Sequence, residues 1–224
     1  MNKATLYNLS YGLYIIGAKD GQRNVGCVVN TVVQSTSNPV TLTVCINKDN
    51  YTNRCIKQTQ EFAVSILSEK TKENVFGVFG FSSSQHRDKF AEVPFSLTPS
   101  GLPYISEGVT GYLQCKVINS IDNFTHTLFI AEVQEAENLF KEPPMTYAYY
   151  HNVIKGKTPP KASSYTAETQ KLVPSESFIC SICGWKYPGS KEEFEHLSPD
   201  YVCPICGAPK SVFILQLNDD KIIN

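Results

Sequence analysis

The segments FICSICGW (residues 178–185) and YVCPICGAPK (residues 201–210) decide the fold of the C-terminal part of this chain. Each segment holds a Cys-x-x-Cys pair that is followed by a glycine; the four cysteines are Cys180, Cys183, Cys203 and Cys206. Four thiolates at this spacing can hold one metal ion in a closed tetrahedral site, which has no open position for a substrate. The spacing therefore predicts a metal centre that either braces the fold or, with iron, transfers single electrons.

The spacing alone leaves iron and zinc open. Nineteen residues separate Cys183 from Cys203, which lies within the range of zinc ribbons. Aromatic residues are dense in the segment and favour a small, dry core around an iron site; they are Phe178, Trp185, Tyr187, Phe194, Tyr201 and Phe213. The glycine after each pair tolerates a positive φ and leaves backbone N–H groups that can point at sulfur. Such hydrogen bonds tune the reduction potential of an iron site.

The stretches CSICGWKYPG and SPDYVCPICGAPKSVF resemble the rubredoxin family over about residues 176–217. The resemblance implies one iron per chain, held by Cys180, Cys183, Cys203 and Cys206 and cycling between ferric and ferrous forms. The loop between the two pairs is shorter than in most stand-alone rubredoxins and lacks their glycine-aspartate turn, so its shape is not implied.

Composition narrows the classes of function. The 224 residues carry a formal net charge of −1, which gives no general nucleic-acid footprint. From residue 176 onward the chain has seven acidic residues and four lysines, a net charge of −3 that suits docking onto a basic partner or simply a solvated surface.

No apolar segment approaches membrane-spanning length and no signal peptide is recognised, so a cytoplasmic location is expected. The remaining cysteines are expected to be buried free thiols; they are Cys27, Cys45, Cys55 and Cys115.

The first 150 or so residues read mainly as strands. Six runs rich in valine, isoleucine, threonine and aromatic residues are separated by turn residues: GLYIIGAK, NVGCVVNTVV, PVTLTVCIN, EFAVSIL, YLQCKVINSI and HTLFIAEV. Two short helices are predicted, one beginning near Thr52 and one near Ser68. Many strands with few helices predict a mainly β fold with a closed or nearly closed barrel.

Changes of composition along the chain predict its division into domains. We expect a first domain over residues 1–154, a polar, proline-bearing linker or wrapping arm over 155–175 and a small metal domain over 176–224. No GxGxxG or Walker loop is present, so a Rossmann nucleotide site is not expected. Gly77 and Gly80, in a helical stretch, are interpreted as packing residues.

The first domain resembles the FMN-binding split-barrel flavin reductases over about residues 4–165. The matching stretches, in order, are LYNLSYGLYIIGAKDG, GCVVNTVVQSTSNP, VCINKDNYTNRCI, FAVSIL, FGFSSSQHRDKF and MTYAYYHNVIKGKTPPKA. The resemblance implies an FMN-binding split β-barrel, direct use of NADH or NADPH, and a homodimer with FMN near the subunit interface.

An FMN site needs groups for the flavin ring and for the phosphate. Short polar side chains at the end of one predicted strand suit the ring; they are Asn30, Thr31, Gln34, Ser35 and Thr36. A second run precedes a predicted helix, whose N-terminus suits a phosphate; it comprises Asn47, Lys48, Asn50 and Thr52. By the family pattern the first run contacts the isoalloxazine and the second the ribityl chain and phosphate. The same residues also suit turns and caps, with Thr52 as a possible N-cap.

Other polar residues are weaker candidates. His151 lies where the family places residues near the flavin, although a structural role also suits it. Residues 82–90 could close over the flavin or approach a second subunit, which makes His86 and Arg87 secondary candidates. No catalytic residue is assigned, because the flavin itself carries hydride chemistry.

Together the two parts resemble the fused proteins called high-molecular-weight rubredoxins. The resemblance implies an NAD(P)H:rubredoxin oxidoreductase that serves a flavodiiron oxygen or nitric-oxide reductase. Two alternatives stay open: an electron carrier without its own NAD(P)H turnover, and a binding module with a zinc ribbon and an empty barrel.

Overall fold

Residues 3–154, 156–159, 162–165, 177–189 and 191–216 are described in the computed structural model of the protein. The strands of the first part are β1 Tyr14–Asp20, β2 Arg23–Val29, β3 Val33–Ser37, β4 Val40–Asn47, β5 Glu61–Leu67, β6 Phe95–Leu97, β7 Pro103–Ile105, β8 Val109–Asn123 and β9 His126–Asn138. Its helices are α1 Tyr51–Thr59, α2 Glu73–Phe81 and α3 Tyr147–Asn152. All six predicted strand runs are confirmed.

Seven strands form one antiparallel sheet in the order β2-β1-β5-β8-β9-β4-β3, and β6 and β7 form a separate hairpin. Among the described residues, the end strands β2 and β3 do not pair with each other, so the sheet is not closed into a barrel. Of the two predicted alternatives, closed or nearly closed, the closed one is wrong, and the mainly β fold is confirmed. Two of the three residues between these strands, Asn30 and Thr31, form hydrogen bonds with other parts of the chain. Thr31, for example, donates its hydroxyl to the Cys45 carbonyl oxygen at 2.9 Å.

Alternation along the strands divides the core into two layers. Ile16 of β1 packs inside the curved sheet with Phe62, Val64 and Phe129. Its neighbour Ile15 points the other way, into a layer that includes α2 and α3. The helices therefore cover the outer face of β1 and β2 and form one wall of the cleft described below.

Helix α1 begins at Tyr51, near Thr52 as predicted, whereas its cap and the start of α2 differ from the prediction. Helix α1 is capped by Asn50, whose side chain accepts a hydrogen bond from the Thr52 N–H at 3.0 Å, so Thr52 lies inside the helix. Helix α2 begins at Glu73 rather than near Ser68. Ser68 instead closes a turn, because its carbonyl accepts from the Thr71 N–H and its hydroxyl from the Lys70 N–H.

The C-terminal module, residues 177–216, pairs β10 Ser177–Cys180 with β11 Phe213–Gln216 and carries the short helix α4 Lys191–Glu195. Its core is aromatic, as the sequence suggested: the rings of Phe178 and Phe194 stack at 4.0 Å between centroids, and Phe213 packs beside them. Among the described residues of the whole chain, no helix has the length and apolar character needed to span a bilayer.

Candidate functional site

The four predicted metal ligands meet at one point. Cys180, Cys183, Cys203 and Cys206 are all buried, and their sulfur atoms lie within 4.8 Å of one another. The sulfur of Cys180 is 3.6 Å from that of Cys206, and the sulfur of Cys183 is 3.5 Å from that of Cys203. A tetrahedral site with metal–sulfur bonds of about 2.3 Å has sulfur–sulfur edges of about 3.8 Å. The four sulfurs, called the cysteine cluster below, therefore fit one metal ion.

Two matching loops present these sulfurs. In the first knuckle, residues 180–184, the Gly184 N–H donates to the Cys180 carbonyl at 2.8 Å; in the second, residues 203–207, the Gly207 N–H donates to the Cys203 carbonyl at 2.8 Å. Both glycines have positive φ, 73° and 69°. A side chain is strained in that conformation, which explains the glycine after each cysteine pair.

The thiols of the cysteine cluster differ in their pKa: the hydrogen bond with Cys203 and burial raise the pKa of Cys183, and burial raises that of Cys206 to about 12. The pKa of the Cys203 thiol is lowered to about 5, first by its hydrogen bond with Cys183 and also by the backbone N–H groups of Cys206 and Ile205. Two lysines lie close by. Burial lowers the pKa of Lys157, Cys183 acts in the opposite direction, and Lys186 lowers it further. Positive side chains next to four sulfurs suit the net negative charge of an iron–tetrathiolate centre.

A cleft opens between the sheet and α2 in the first domain. Its floor is apolar and includes Leu13, Val28, Phe76 and Phe79. Its polar side chains include three amides, from Asn30, Asn47 and Asn50, and also those of His126, Tyr147, Tyr150 and Ser163. None of the described residues that line it is Asp, Glu, Lys or Arg. An apolar cleft with a few amide groups suits a flat heteroaromatic ring with hydrogen-bonding edges, so the lining fits an isoalloxazine.

The predicted flavin residues divide into two groups. Asn30, Asn47 and Asn50 line the cleft, and Thr31 lies next to it with its hydroxyl bonded to Cys45. Gln34, Ser35 and Thr36 lie on the edge strand β3, where every residue is exposed. Gln34 donates to the Thr36 carbonyl and Thr36 bonds to Pro39 and Thr41, which are contacts within the hairpin. Whether the flavin contacts these residues stays a prediction.

The predicted phosphate residues lie around the start of α1. Asn50 caps that helix, and Thr52 is fully buried with a hydroxyl that has no hydrogen-bond partner. Lys48 is exposed, and its ammonium lies 3.5 Å from Asp122. Lys57, at the other end of the helix, lies 2.9 Å from the same carboxylate and is the main cause of its lowered pKa. Lys48 is thus a positive charge two residues before the helix cap.

His151 lies behind the cleft. Among the described residues, the lining includes Tyr147 and Tyr150 but not His151. Its Nδ1 donates to the Gly156 carbonyl at 2.8 Å, and its ring packs edge-on against Tyr147 with 4.3 Å between centroids. Burial lowers the pKa of His151, which favours the neutral ring at pH 7. These contacts hold the rings of α3 in place.

The described parts of the expected linker form an arm over the cleft. Pro159, Ala162 and Ser163 line the cleft. The Asn30 amide donates to Ser164 at 2.9 Å and accepts from Ser163 at 3.3 Å. Pro159 and residues 162–164 thus lie against the first domain, while residues 155, 160–161 and 166–175 lie outside the described residues and the expected linker stays a prediction.

Sequence reasoning missed several residues of the site. Phe79, Phe81, Tyr147 and Tyr150 line the cleft although they come from elements assigned only to packing or left unassigned. Of the secondary candidates, His86 is exposed, and Arg87 pairs with Glu92. The hydrogen bond with Glu92 raises the pKa of Arg87, and Cys206 adds a smaller effect of the same sign. Of this segment, Arg87 thus lies within electrostatic range of Cys206.

The remaining cysteines behave as expected. All eight cysteines of the chain are free of disulfides; Cys27, Cys55 and Cys115 are buried, while Cys45 is half-buried and lines the cleft. Burial raises the pKa of Cys115 to about 12 and, as the main cause, that of Cys27 to about 11, so both are neutral thiols at pH 7.

Comparison with known proteins shows the same two parts. Residues 6–156 match the family described as "Flavin reductase like domain". The chain is 40% identical to the high molecular weight rubredoxin of Moorella thermoacetica over 95% of its own length and 99% of that protein. It is 39% identical to a ferric-chelate reductase (NAD(P)H) of Archaeoglobus fulgidus over 74% of this chain and 98% of that protein.

Among solved structures, the NADH:FAD oxidoreductase SgcE6 of Streptomyces globisporus matches with a TM-score of 0.58. It is 23% identical to this chain and aligns over 63% of this chain and 84% of its own. This likeness concerns the fold.

Proposed function

The chain belongs to the flavin reductase-like family and, with its cysteine cluster, to the high-molecular-weight rubredoxins, and from that premise we propose that it is an NAD(P)H:rubredoxin oxidoreductase. It would take electrons from NAD(P)H onto FMN and pass them to an iron held by four cysteines. The observation that carries the proposal is the presence in one chain of a tetrahedral sulfur cluster and an apolar, amide-edged cleft.

Iron in the cysteine cluster would be held by Cys180, Cys183, Cys203 and Cys206. The relative with 40% identity is named a rubredoxin, which supports iron over zinc. The backbone N–H groups of residues 205 and 206 point at Cys203 and stabilise its thiolate. The aromatic side chains of the module keep water away from the sulfurs, which supports a one-electron centre.

FMN would occupy the cleft, with its ring on the apolar floor beside Val28 and Phe79. The side-chain amides of Asn30, Asn47 and Asn50 line the cleft and would form hydrogen bonds with the ring edge and the ribityl chain. The phosphate would lie by Lys48, before the N-terminus of α1, where the first turn carries no acidic side chain. Bound FMN supplies hydride acceptance and the release of electrons one at a time. One hydride carries two electrons, so each NAD(P)H oxidised matches two successive ferric-to-ferrous reductions.

Two further features of the proposal concern partners. We expect a homodimer, because the edge strand β3 is exposed throughout, and Val33 of β3 and Val40 of the neighbouring β4 are 60% and 43% exposed. Light scattering should then give twice the chain mass of 24.9 kDa.

The final electron acceptor would be a protein, such as a flavodiiron oxygen or nitric-oxide reductase. A cytoplasmic location would suit the eight free thiols, because the cytoplasm keeps thiols reduced.

The test is anaerobic stopped-flow mixing of the purified chain with NADH and, separately, with NADPH. We expect the flavin band to bleach first and the ferric-thiolate band to follow, with no other protein present. A flavin that is reduced beside iron that stays oxidised would contradict the coupling. A flavin that NAD(P)H does not reduce would support the alternative of a pure carrier, and a colourless protein with stoichiometric zinc would support the binding module.

A further inference from the structure

The two knuckles have matching internal hydrogen bonds but differ in how far their isoleucines are exposed to solvent. The isoleucine of the first knuckle, Ile182, is 50% exposed, whereas its counterpart in the second knuckle, Ile205, is 6% exposed. Both occupy the same position, directly before the second cysteine of their pair. Local sequence does not explain the difference, so something outside the second knuckle covers it.

The cover is helix α2 of the first domain, at Gly77. A Cβ placed on Gly77 would lie 1.5 Å from the Ile205 carbonyl oxygen and 2.6 Å from the Cys206 Cα. Both atoms are backbone, so a rotamer change could not relieve the clash. A glycine inside a helix costs about 1 kcal/mol relative to alanine. The close approach of the second knuckle gives a reason for glycine at this position.

Helix α2 also borders the cleft. Phe76, Phe79 and Gly80 line the cleft, and Gly77 lies among them in the sequence of the helix. Phe81, the last residue of α2, lines the cleft and also packs against the core of the C-terminal module. One helix, about 10–12 Å across with its side chains, thus separates the cysteine cluster from the cleft.

Two contacts outside α2 agree with this placement. Tyr150 of α3 lines the cleft, and Cys183 is among the groups that raise its pKa, after burial and Tyr147. Arg87 lies close enough to Cys206 for the two to interact electrostatically. The contacts that place the module on the first domain are those of Gly77 and Phe81 in α2.

We infer that Gly77 is a positioning residue that seats the second knuckle on the flavin domain, so that electrons enter the iron through the Cys206 side of the module. The inference rests on the proposed function. Each electron from reduced FMN converts one ferric iron to ferrous, and the acceptor protein must take it before the second electron follows. The first knuckle, with Ile182 exposed, remains available to that acceptor.

The test compares Gly77→Ala with Gly80→Ala. Both replacements favour the helix by the same intrinsic amount. A Cβ on Gly80 meets only side-chain atoms, Pro159 Cγ and Val28 Cγ1, each at 3.2 Å, and these can yield by a few tenths of an ångström. Gly80→Ala is therefore a matched control for the seating of the module.

Small-angle X-ray scattering measures whether the module stays packed on the first domain, and transient kinetics measure the rate of iron reduction by reduced flavin. We expect Gly77→Ala to increase the radius of gyration and to slow iron reduction by reduced flavin about ten-fold or more, because misplacement by an ångström or two can cost this much. Flavin reduction by NADH and the reduction potential of the iron should stay unchanged. Gly80→Ala should keep the wild-type scattering curve. Unchanged scattering and unchanged iron reduction in Gly77→Ala would overturn the inference.

A second variant covers the case in which Gly77→Ala does not fold. Ile205→Asp changes the module side of the same contact and leaves α2 intact; a carboxylate buried there should unseat the module and expand the molecule. A scattering curve that matches wild type would count against the seating. If NADH does not reduce the iron of the wild-type chain, the proposed function fails, while the scattering comparison still tests the seating by itself.

Discussion

The cysteine cluster and the cleft are built in opposite ways. The cluster takes all its sulfurs from two knuckles of five residues each, 180–184 and 203–207, with matching internal hydrogen bonds. The cleft takes its lining from strands β2, β4 and β9, helices α2 and α3, the residues next to these elements, and the arm at 159 and 162–163. In the first region each of the four cysteines is a ligand that no other residue can replace, whereas in the second each lining residue supplies only part of the surface. Substitutions should therefore act almost all-or-none on iron and by degrees on flavin.

The largest effect is expected for the cysteines themselves. Cys183→Ala and Cys206→Ala should each lower bound iron by more than about ten-fold, because metal binding and folding of such a module are coupled. The FMN content should stay at the wild-type level, since the cleft is lined by other residues. Metal analysis and the visible spectrum measure both quantities.

Cys115→Ala is the matched control for these variants. Cys115 is also a buried free thiol, but it lies in β8 within the core of the sheet, so its loss should leave iron binding intact. Loss of flavin together with iron in the Cys206 variant would break the comparison, because the two regions would then fold as one unit.

An intermediate effect should distinguish the two knuckles from each other. Ile205→Ala should lower the free energy of unfolding by about 2–4 kcal/mol, the usual range for truncating a buried isoleucine. Ile182→Ala should change it by less than about 0.5 kcal/mol, because that side chain is half exposed. Urea unfolding followed by the ferric-thiolate band gives both values. Equal losses would show that the second knuckle is not covered.

The smallest effect is expected at the phosphate end of the cleft. Lys48→Met should weaken FMN binding about ten-fold, or about 1.4 kcal/mol, because a charge-assisted contact with the phosphate is lost. Binding of riboflavin, which lacks the phosphate, should not change. Titration of the apoprotein with each flavin measures the two dissociation constants.

Lys57→Met separates this contact from the ion pair that Lys48 makes. Lys48 and Lys57 both pair with Asp122, but Lys57 belongs to the last turn of α1, away from its N-terminus. We expect Lys57→Met to bind FMN as tightly as wild type. Equal weakening by both variants would mean that Asp122 and its hairpin, rather than the phosphate contact, account for the effect.

The strands were predictable because their apolar runs match the two-residue period and the turn residues between them are clear. The helix starts were less so. Asn50 and Thr52 are both good caps by type, and only the bond from the Thr52 N–H to the Asn50 side chain shows which one acts. Ser68 resembles a helix cap by type as well, yet its hydroxyl accepts from Lys70 in a turn that precedes α2.

Of the candidate site residues, Asn30, Asn47 and Asn50 line one cleft, while His151 lies behind Tyr147, and their contacts with flavin stay a prediction. The aromatic lining could not be predicted from the sequence. Phe76, Phe79 and Tyr150 have the spacing of ordinary core residues, and nothing local distinguishes a ring that borders a cleft from one that fills a core.

The sequence by itself determined the metal ligands and the mainly β architecture, because chelation by Cys-x-x-Cys pairs and strand patterning depend on neighbours within a few positions. The tertiary structure alone decided that the sheet stays open, that the arm crosses the cleft, and that the second knuckle rather than the first is covered. These outcomes depend on contacts between residues more than a hundred positions apart, such as Gly77 with Ile205 and Asn30 with Ser164. A local pattern cannot specify which distant surfaces fit each other, because that fit depends on the packing of the whole chain.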